Sequence, residues 1–144
     1  MVFHGSCLCG AVRYEVDISD EQATKPSLCH CRVCRKITGG STSHNLTVPY
    51  SAFTLKTGEL KVYQATHFDE GFEIWLHFCP TCSSPIFAEA SGNPPAPDDP
   101  VFIQGGTLDD TIPLEATPVA ELNVKHRLSW IGQIANAEQR QGYS

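Results

Sequence analysis

Between Phe72 and Phe78 every second residue is apolar, so Phe72, Ile74, Leu76 and Phe78 fall on one face of an extended chain. It is the clearest strand pattern in the sequence. The same period of two runs from Ala11 to Val16, with Val12, Tyr14 and Val16 on one face and Arg13 and Glu15 on the other. Thr42 to Val48 reads as extended until Pro49 ends it, and Ala52–Lys56 and Glu59–Gln64 flank Thr57-Gly58 in a pattern that predicts a hairpin. Shorter strands are expected over Ile86–Glu89, Val101–Gln104 and Leu122–Lys125, separated by the turn-rich stretches SGNPPAPDDP and DDTIPLEATP. Helix signals are few. Asp17 to Ser27 reads as a polar loop, Arg35–Thr38 as a helical turn stopped by Gly39 and Gly40, and Ile131–Arg140 as a short helix in the tail. With no internal repeat and no shift of composition, these elements predict one all-β domain over residues 1–144 with little helix.

At 144 residues the chain is long enough to bury about two-thirds of the surface its unfolded form exposes, so a β core needs no disulfide staples. A formal charge of −6 lacks the basic footprint of a protein that grips phosphate backbones or acidic membranes, so no nucleic-acid partner is expected. No apolar run approaches the ~20 residues that span a bilayer, and the start, MVFHGSCLCGAVRYEV, is not patterned as a signal peptide. The expectation is a protein of the cytoplasm.

Seven cysteines cannot all pair with one another, and a reducing compartment disfavours disulfides, so metal binding or catalysis must account for them. None stands alone: Cys7 and Cys9 form one group, Cys29, Cys31 and Cys34 a second, Cys79 and Cys82 a third. In an extended segment a Cys-x-Cys sends both thiols to the same side. In Cys79-Pro-Thr-Cys82 a turn preset by Pro80 brings two sulfurs together. Two such pairs complete the tetrahedron that zinc prefers, so Cys7, Cys9, Cys79 and Cys82 are expected to form a closed structural site. The middle cluster, Cys29-His30-Cys31-Arg32-Val33-Cys34, supplies three thiolates and leaves one corner open, the mark of catalytic rather than structural zinc. His30, between Cys29 and Cys31, points to the opposite side if the segment is extended, which argues against it as the fourth ligand. A second partition stays open, in which Cys31 and Cys34 join Cys79 and Cys82 as a zinc ribbon, although the intervening chain is far longer than the usual ribbon spacing. Cys31 and Cys34 alone also match a redox dithiol.

The stretches GSCLCGAVRYEV, CHCRVCRK, TGELKVY, FCPTCSSPIF and GGTLDD together resemble, in order, the glutathione-dependent formaldehyde-activating enzymes, a family grouped with centromere protein V. The resemblance implies a twisted β "tent" of antiparallel sheets clamped by zinc. It also assigns Cys7, Cys9, Cys79 and Cys82 to structural zinc and Cys29, Cys31 and Cys34 to a second, catalytic zinc, two ions per chain. The sequence departs from the pattern at Ser83-Ser84, where the family usually has Gly-Ser; a glycine there would permit a left-handed backbone that serine adopts only at a cost, which leaves the geometry of this turn open. The segment KHRLSWIGQIANAEQ matches the family's C-terminal end without suggesting a chemical role.

The function implied is that of a carbon–sulfur lyase. A zinc already rich in thiolate suits a soft incoming ligand, so glutathione sulfur would complete the tetrahedron and add to formaldehyde or a related small aldehyde. The alternatives are a zinc-dependent hydrolase or lyase acting on another thiol, imine or carbonyl adduct, and a non-catalytic, zinc-stabilised module that binds a protein. Arg32, Arg35 and Lys36 are candidates to hold substrate carboxylates, with a solvated face as the plainer reading. His44, His67 and His77 are candidate general acids, Asp109 and Asp110 lie in the family-like motif but suit a turn equally, and the loop Ser91 to Pro100 is a candidate pocket wall.

Overall fold

The computed structural model describes residues 1–144. Eleven strands form two open sheets. β1 (Val2–Ser6), β2 (Arg13–Asp17) and β5 (Phe53–Thr57) form the smaller one, in the order β1-β2-β5. The larger sheet contains β3 (Ser27–Cys29), β4 (Ser43–Pro49), β6 (Lys61–Thr66), β7 (Glu73–Phe78), β8 (Pro85–Glu89), β9 (Pro100–Gln104), β10 (Ala120–Leu122) and β11 (Glu138–Gln139). Their order is β11-β10-β3-β4-β9-β8-β7-β6. The all-β expectation is met. Pairing is not antiparallel throughout, because β10 runs parallel to both β3 and β11. Helices are short: α1 (Asp20–Ala23), α2 (Arg32–Thr38) and α3 (Thr111–Glu115).

The main core lies between the two sheets. Alternation in β2 turns Tyr14 and Val16 inward, and β4 and β9 answer with Leu46, Val48, Val101 and Ile103. Each such side chain contributes about 1.5–3 kcal/mol through burial. Phe53 bridges the sheets, its ring 5.2 Å from that of Tyr14 and 4.9 Å from that of Phe87. Gly5 is required here, since a Cβ on it would lie 2.0 Å from the Tyr14 ring. On the other face of the large sheet, a second apolar cluster of Val33 and Ile74 joins Cys29 and Cys31, covered by α2. That face carries the cavity described below.

Several expected elements are revised. Thr57-Gly58 joins no hairpin: β5 pairs with β2 and β6 with β7, so the chain changes sheets at this point. Gly58 sits at φ +84 with the Ala11 carbonyl oxygen 2.4 Å from where a Cβ would be, a close approach that only glycine permits. The tail forms no helix over residues 131–140. The Ile134 amide donates to the Glu121 carboxylate instead of to a helical carbonyl, and Glu138–Gln139 adds β11 at the sheet edge. Inside the expected polar loop, Ser19 and Gln22 close a reciprocal capping box on α1, a pattern visible in the sequence. The helix after the cysteine triad starts at Arg32, three residues earlier than expected, because Cys31 caps it. The strand expected over Leu122–Lys125 ends at Leu122, where Asn123 turns left-handed at φ +52.

Candidate metal centres and cavity

The two cysteine groups predicted from spacing are brought together as separate clusters, Cys7, Cys9, Cys79 and Cys82 in one and Cys29, Cys31 and Cys34 in the other. Cys79 and Cys82 therefore belong with Cys7 and Cys9, and the ribbon partition is overturned. Within each cluster the sulfurs lie within 4.8 Å of one another. All seven cysteines are free.

The four-sulfur cluster links the turn after β1 in the small sheet to the turn between β7 and β8 in the large one. Each turn is tightened by its own amides. Cys7 Sγ accepts from the Val12 amide at 3.2 Å, Cys79 Sγ accepts from the Cys82 amide at 3.5 Å, and the Leu8 amide donates across to Ser84 Oγ at 3.0 Å. The Cys7–Cys9 and Cys9–Cys79 sulfur separations are 3.6 and 3.8 Å. A tetrahedron of thiolates ~2.3 Å from a central zinc has edges of about 3.8 Å, so these donors fit that ion without rearrangement. Hydrogen bonding from Ser84 holds Cys82 down at about 5, already a thiolate near neutral pH. The turn keeps the geometry suited to glycine: Ser83 adopts φ +65, the left-handed backbone that glycine would take without cost.

The three-sulfur cluster is built by one strand end and one helix start. Cys29 closes β3, Cys31 is the N-cap of α2 and accepts from the Cys34 amide at 3.0 Å, and Cys34 lies in the first turn. The Cys31 and Cys34 sulfurs are 2.7 Å apart, longer than the ~2.05 Å of a disulfide and shorter than the tetrahedral edge. No histidine, aspartate or glutamate joins the three. The thiols titrate as a unit. Hydrogen bonds from Cys29 and Cys34 hold Cys31 far below the ordinary thiol range, while the contact with Cys31 pushes Cys29 up to about 11. Asn123, buried and held in its left-handed turn, donates Nδ2 to Cys29 Sγ at 3.4 Å. His30 points away from the sulfurs, as alternation predicts, and its Nε2 lies 2.8 Å from buried Glu121. Glu121 also accepts from Arg127 at 3.2 Å, Gln139 at 2.6 Å and the Ile134 amide at 2.9 Å. It thereby ties the segment carrying the cysteines to the tail.

Cys29 and Cys34 border a cavity of about 360 Å³ on the face of the large sheet that α2 covers. Val33 and Ile37 of α2 form one wall, and Ala88 and Phe102 lie on the sheet opposite.

A sequence profile described as glutathione-dependent formaldehyde-activating enzyme matches residues 2–126. The chain belongs to that family. The fold agrees with the crystal structure of a Rhodobacter sphaeroides protein, with a TM-score of 0.58 over 82% of this chain and 98% of the other, at 22% identity. No curated protein matches. As a member of the glutathione-dependent formaldehyde-activating family, the chain also places part of its cavity outside the matched region. Tyr143 lines it, with its hydroxyl 2.8 Å from His67 Nε2 and in contact with Cys31. Burial, with the neighbouring thiols, pushes the Tyr143 hydroxyl above the usual phenol range.

Of the three candidate histidines, only His67 reaches the cavity. His44 lies on the opposite face of β4, packed under Gly105, and burial lowers its pKa. His77 stacks on Phe87 with ring centroids 4.0 Å apart, where burial holds it at about 4. The basic trio is turned away as well. At 100° per residue, Arg32, Arg35 and Lys36 occupy the side of α2 opposite Val33, Cys34 and Ile37. Arg32 is engaged by Asp69, and Arg35 donates to the His126 carbonyl at 3.1 Å. Asp109 accepts from Ser6 at 2.8 Å and Asp110 from His4 Nδ1 at 3.1 Å, so both tie β1 to the segment before α3. Of the loop from Ser91 to Pro100, no residue lines the cavity. Asn123, Glu121 and Tyr143 were missed from sequence. Their partners lie 76 to 94 residues away, and no local pattern marks such contacts. No helix is long and apolar enough to cross a membrane.

Proposed function

We propose that this protein is a zinc-dependent carbon–sulfur lyase that joins a thiol to a small aldehyde, with glutathione and formaldehyde as the reactants named by its family. One observation carries the reading: three thiols meet with no fourth protein ligand, and two of them, Cys29 and Cys34, stand at the wall of a cavity. Cys7, Cys9, Cys79 and Cys82 hold a structural zinc, and Cys29, Cys31 and Cys34 hold the catalytic one, two ions per chain. Zinc held there by Cys29, Cys31 and Cys34 would supply a fourth position that favours the thiolate form of a substrate thiol. Asn123 orients Cys29 by donating to its sulfur, and the first-turn amide of α2 does the same for Cys31. Either hydrogen bond stabilises the thiolate over the thiol. His67 and Tyr143, joined at 2.8 Å beside the trio, hold the proton released by the incoming thiol. Residues 1–144 act as one domain, in a reducing compartment such as the cytoplasm, where thiols stay free.

Metal analysis combined with rates of S-(hydroxymethyl)glutathione formation, corrected for the uncatalysed addition, tests the reading. Wild type should bind two zinc ions and accelerate the reaction, and chelation should remove the acceleration until zinc is restored. An unchanged rate in metal-free protein would exclude it.

A further inference from the structure

The cavity next to Cys29 has a definite hydrogen-bonding polarity. Gln104 Nε2 donates to the Phe102 carbonyl at 3.3 Å, and because that carbonyl only accepts, the orientation of the Gln104 amide is set. The same nitrogen donates to Asn45 Oδ1 at 3.0 Å, which turns Asn45 Nδ2 toward Ser43 Oγ at 2.8 Å. Ser43 is therefore an acceptor within the chain, and its own proton is spent on no protein group. Ser43 is the register partner of Cys29 across β3 and β4. A polarised row, Gln104 to Asn45 to Ser43, thus ends in an unspent O–H donor beside the open cluster. All three side chains are buried and line the cavity.

The cavity also lacks cationic lysine and arginine side chains, and the one carboxyl at its border is that of Glu89. Alternation along β4 points Ser43, Asn45 and Thr47 into it and His44, Leu46 and Val48 away. Along β8, Ala88 and Ala90 face it and Glu89 borders it, with its carboxylate 3.8 Å from His77 Nε2 and accepting from the Gly92 amide. No lysine or arginine lines it. At about 360 Å³ it lies at the lower end of the range for ligand cavities and has room for about ten water-sized molecules. Formaldehyde would leave most of that apolar space unfilled, and glutathione would have to bury two carboxylates with no cationic partner, beside the carboxyl of Glu89.

We infer that the cavity binds the carbonyl reactant, a neutral aldehyde with an apolar chain of roughly five to eight carbons, whose oxygen accepts a hydrogen bond from Ser43. This rests on the thiol-addition reading. The thiolate sulfur forms a bond to the aldehyde carbon, and the carbonyl π pair moves to the oxygen. That oxygen takes up the proton the thiol lost, giving a neutral hemithioacetal. Ser43 keeps its proton and stabilises the developing oxyanion. The apolar chain lies against Phe102, Ile74 and Ala88, and the charged part of a peptide thiol stays at the mouth.

The test uses the zinc-loaded full chain in two arms. In the first, hexanal and 6-oxohexanoate, which differ by a terminal carboxylate, are compared with glutathione as thiol. Hexanal should exceed 6-oxohexanoate in kcat/KM by about 10²-fold. Ser43→Ala should lower kcat for hexanal by about 10²-fold with KM little changed, and Ser43→Thr should restore it. In the second arm, calorimetry should detect hexan-1-ol, an unreactive analogue, binding at least about 30-fold more tightly than hexanoate. Equal binding of the two, or no binding of hexan-1-ol, overturns the inference, as does equal turnover of the two aldehydes. Discrimination in calorimetry without acceleration of any aldehyde leaves the anion-excluding cavity standing and removes the thiol-addition reading instead.

Discussion

The two cysteine clusters use the same donor atom and differ in what surrounds it. The four-sulfur cluster joins turns from two different sheets, and two of its sulfur separations, 3.6 and 3.8 Å, already match edges of a zinc-centred tetrahedron. The three-sulfur cluster belongs to one layer, a strand end and a helix cap, and its closest pair, at 2.7 Å, must part by about 1 Å before both sulfurs can share an ion. One cluster is set by the packing of two sheets and closes them. The other is left adjustable beside a cavity. A structural ligand set gains from being complete and rigid, whereas a reactive one needs a vacant position and a neighbouring space for substrate.

The largest expected effect lies in the clamp. Cys79→Ser should remove the ion that ties the sheets, and since metal bound only by the folded state adds its binding energy to stability, cooperative folding at 25 °C should be lost. Circular dichroism of the purified variant would reveal this; a native melting curve would show that the clamp is dispensable and that the contrast drawn above is false.

Next is the support beneath the open cluster. Glu121→Gln leaves Arg127 without its buried counter-charge and should cost about 3–5 kcal/mol in urea titrations. Although burial disfavours its charged form, hydrogen bonds from Gln139, the Ile134 amide and His30, with Arg127 nearby, hold Glu121 down at about 2. Its unfolded value is near 4.3, so the unfolded chain binds the extra proton between these limits. The Glu121 contribution should be fully present above about pH 5 and fall away as the pH drops toward 2. Stability curves of wild type and variant that stay parallel down to pH 2 would remove Glu121 from this role.

The comparison is sharpest at Cys34→Ser. Zinc content should fall from two ions to one and thiol addition should drop by at least about 10²-fold, while the chain still folds and unfolds cooperatively in urea. Loss of both ions, or of the fold, would mean that the clusters are not independent.

The smallest effect concerns the turn that carries Cys82. Ser83→Gly relieves a serine at φ +65 and should raise stability by about 1 kcal/mol, detectable as a Tm increase of a few degrees. A decrease would show that the serine side chain contributes more than its backbone costs.

Much of the fold was legible wherever one side of a strand is buried and the other is not. β2, β4, β7 and β9 fell close to where alternation put them, because burial on one face imposes a period of two. The Thr57-Gly58 hairpin failed for the complementary reason. Both flanking segments have extended patterns, but nothing local says which sheet each will join, and that choice depends on β2 and β7, remote in the chain from one or other strand. In the tail, the apparent helical pattern lost to a buried carboxylate 13 and 18 residues from the groups that donate to it.

What the sequence by itself determined is the arithmetic of sulfur: pairs at spacings of two and three residues, one set able to close a tetrahedron and one set a ligand short. Short-range geometry sets how two nearby thiols converge, and short-range geometry is written in the residue order. Only the tertiary structure decided which pair meets which. It also decided that Arg32, Arg35 and Lys36 face away from the cavity, that His67 enters it while His44 and His77 do not, and that Tyr143 and Asn123 stand beside the open sulfurs. Those outcomes depend on which way each face turns once the sheet has formed, and the register of distant strands settles that direction.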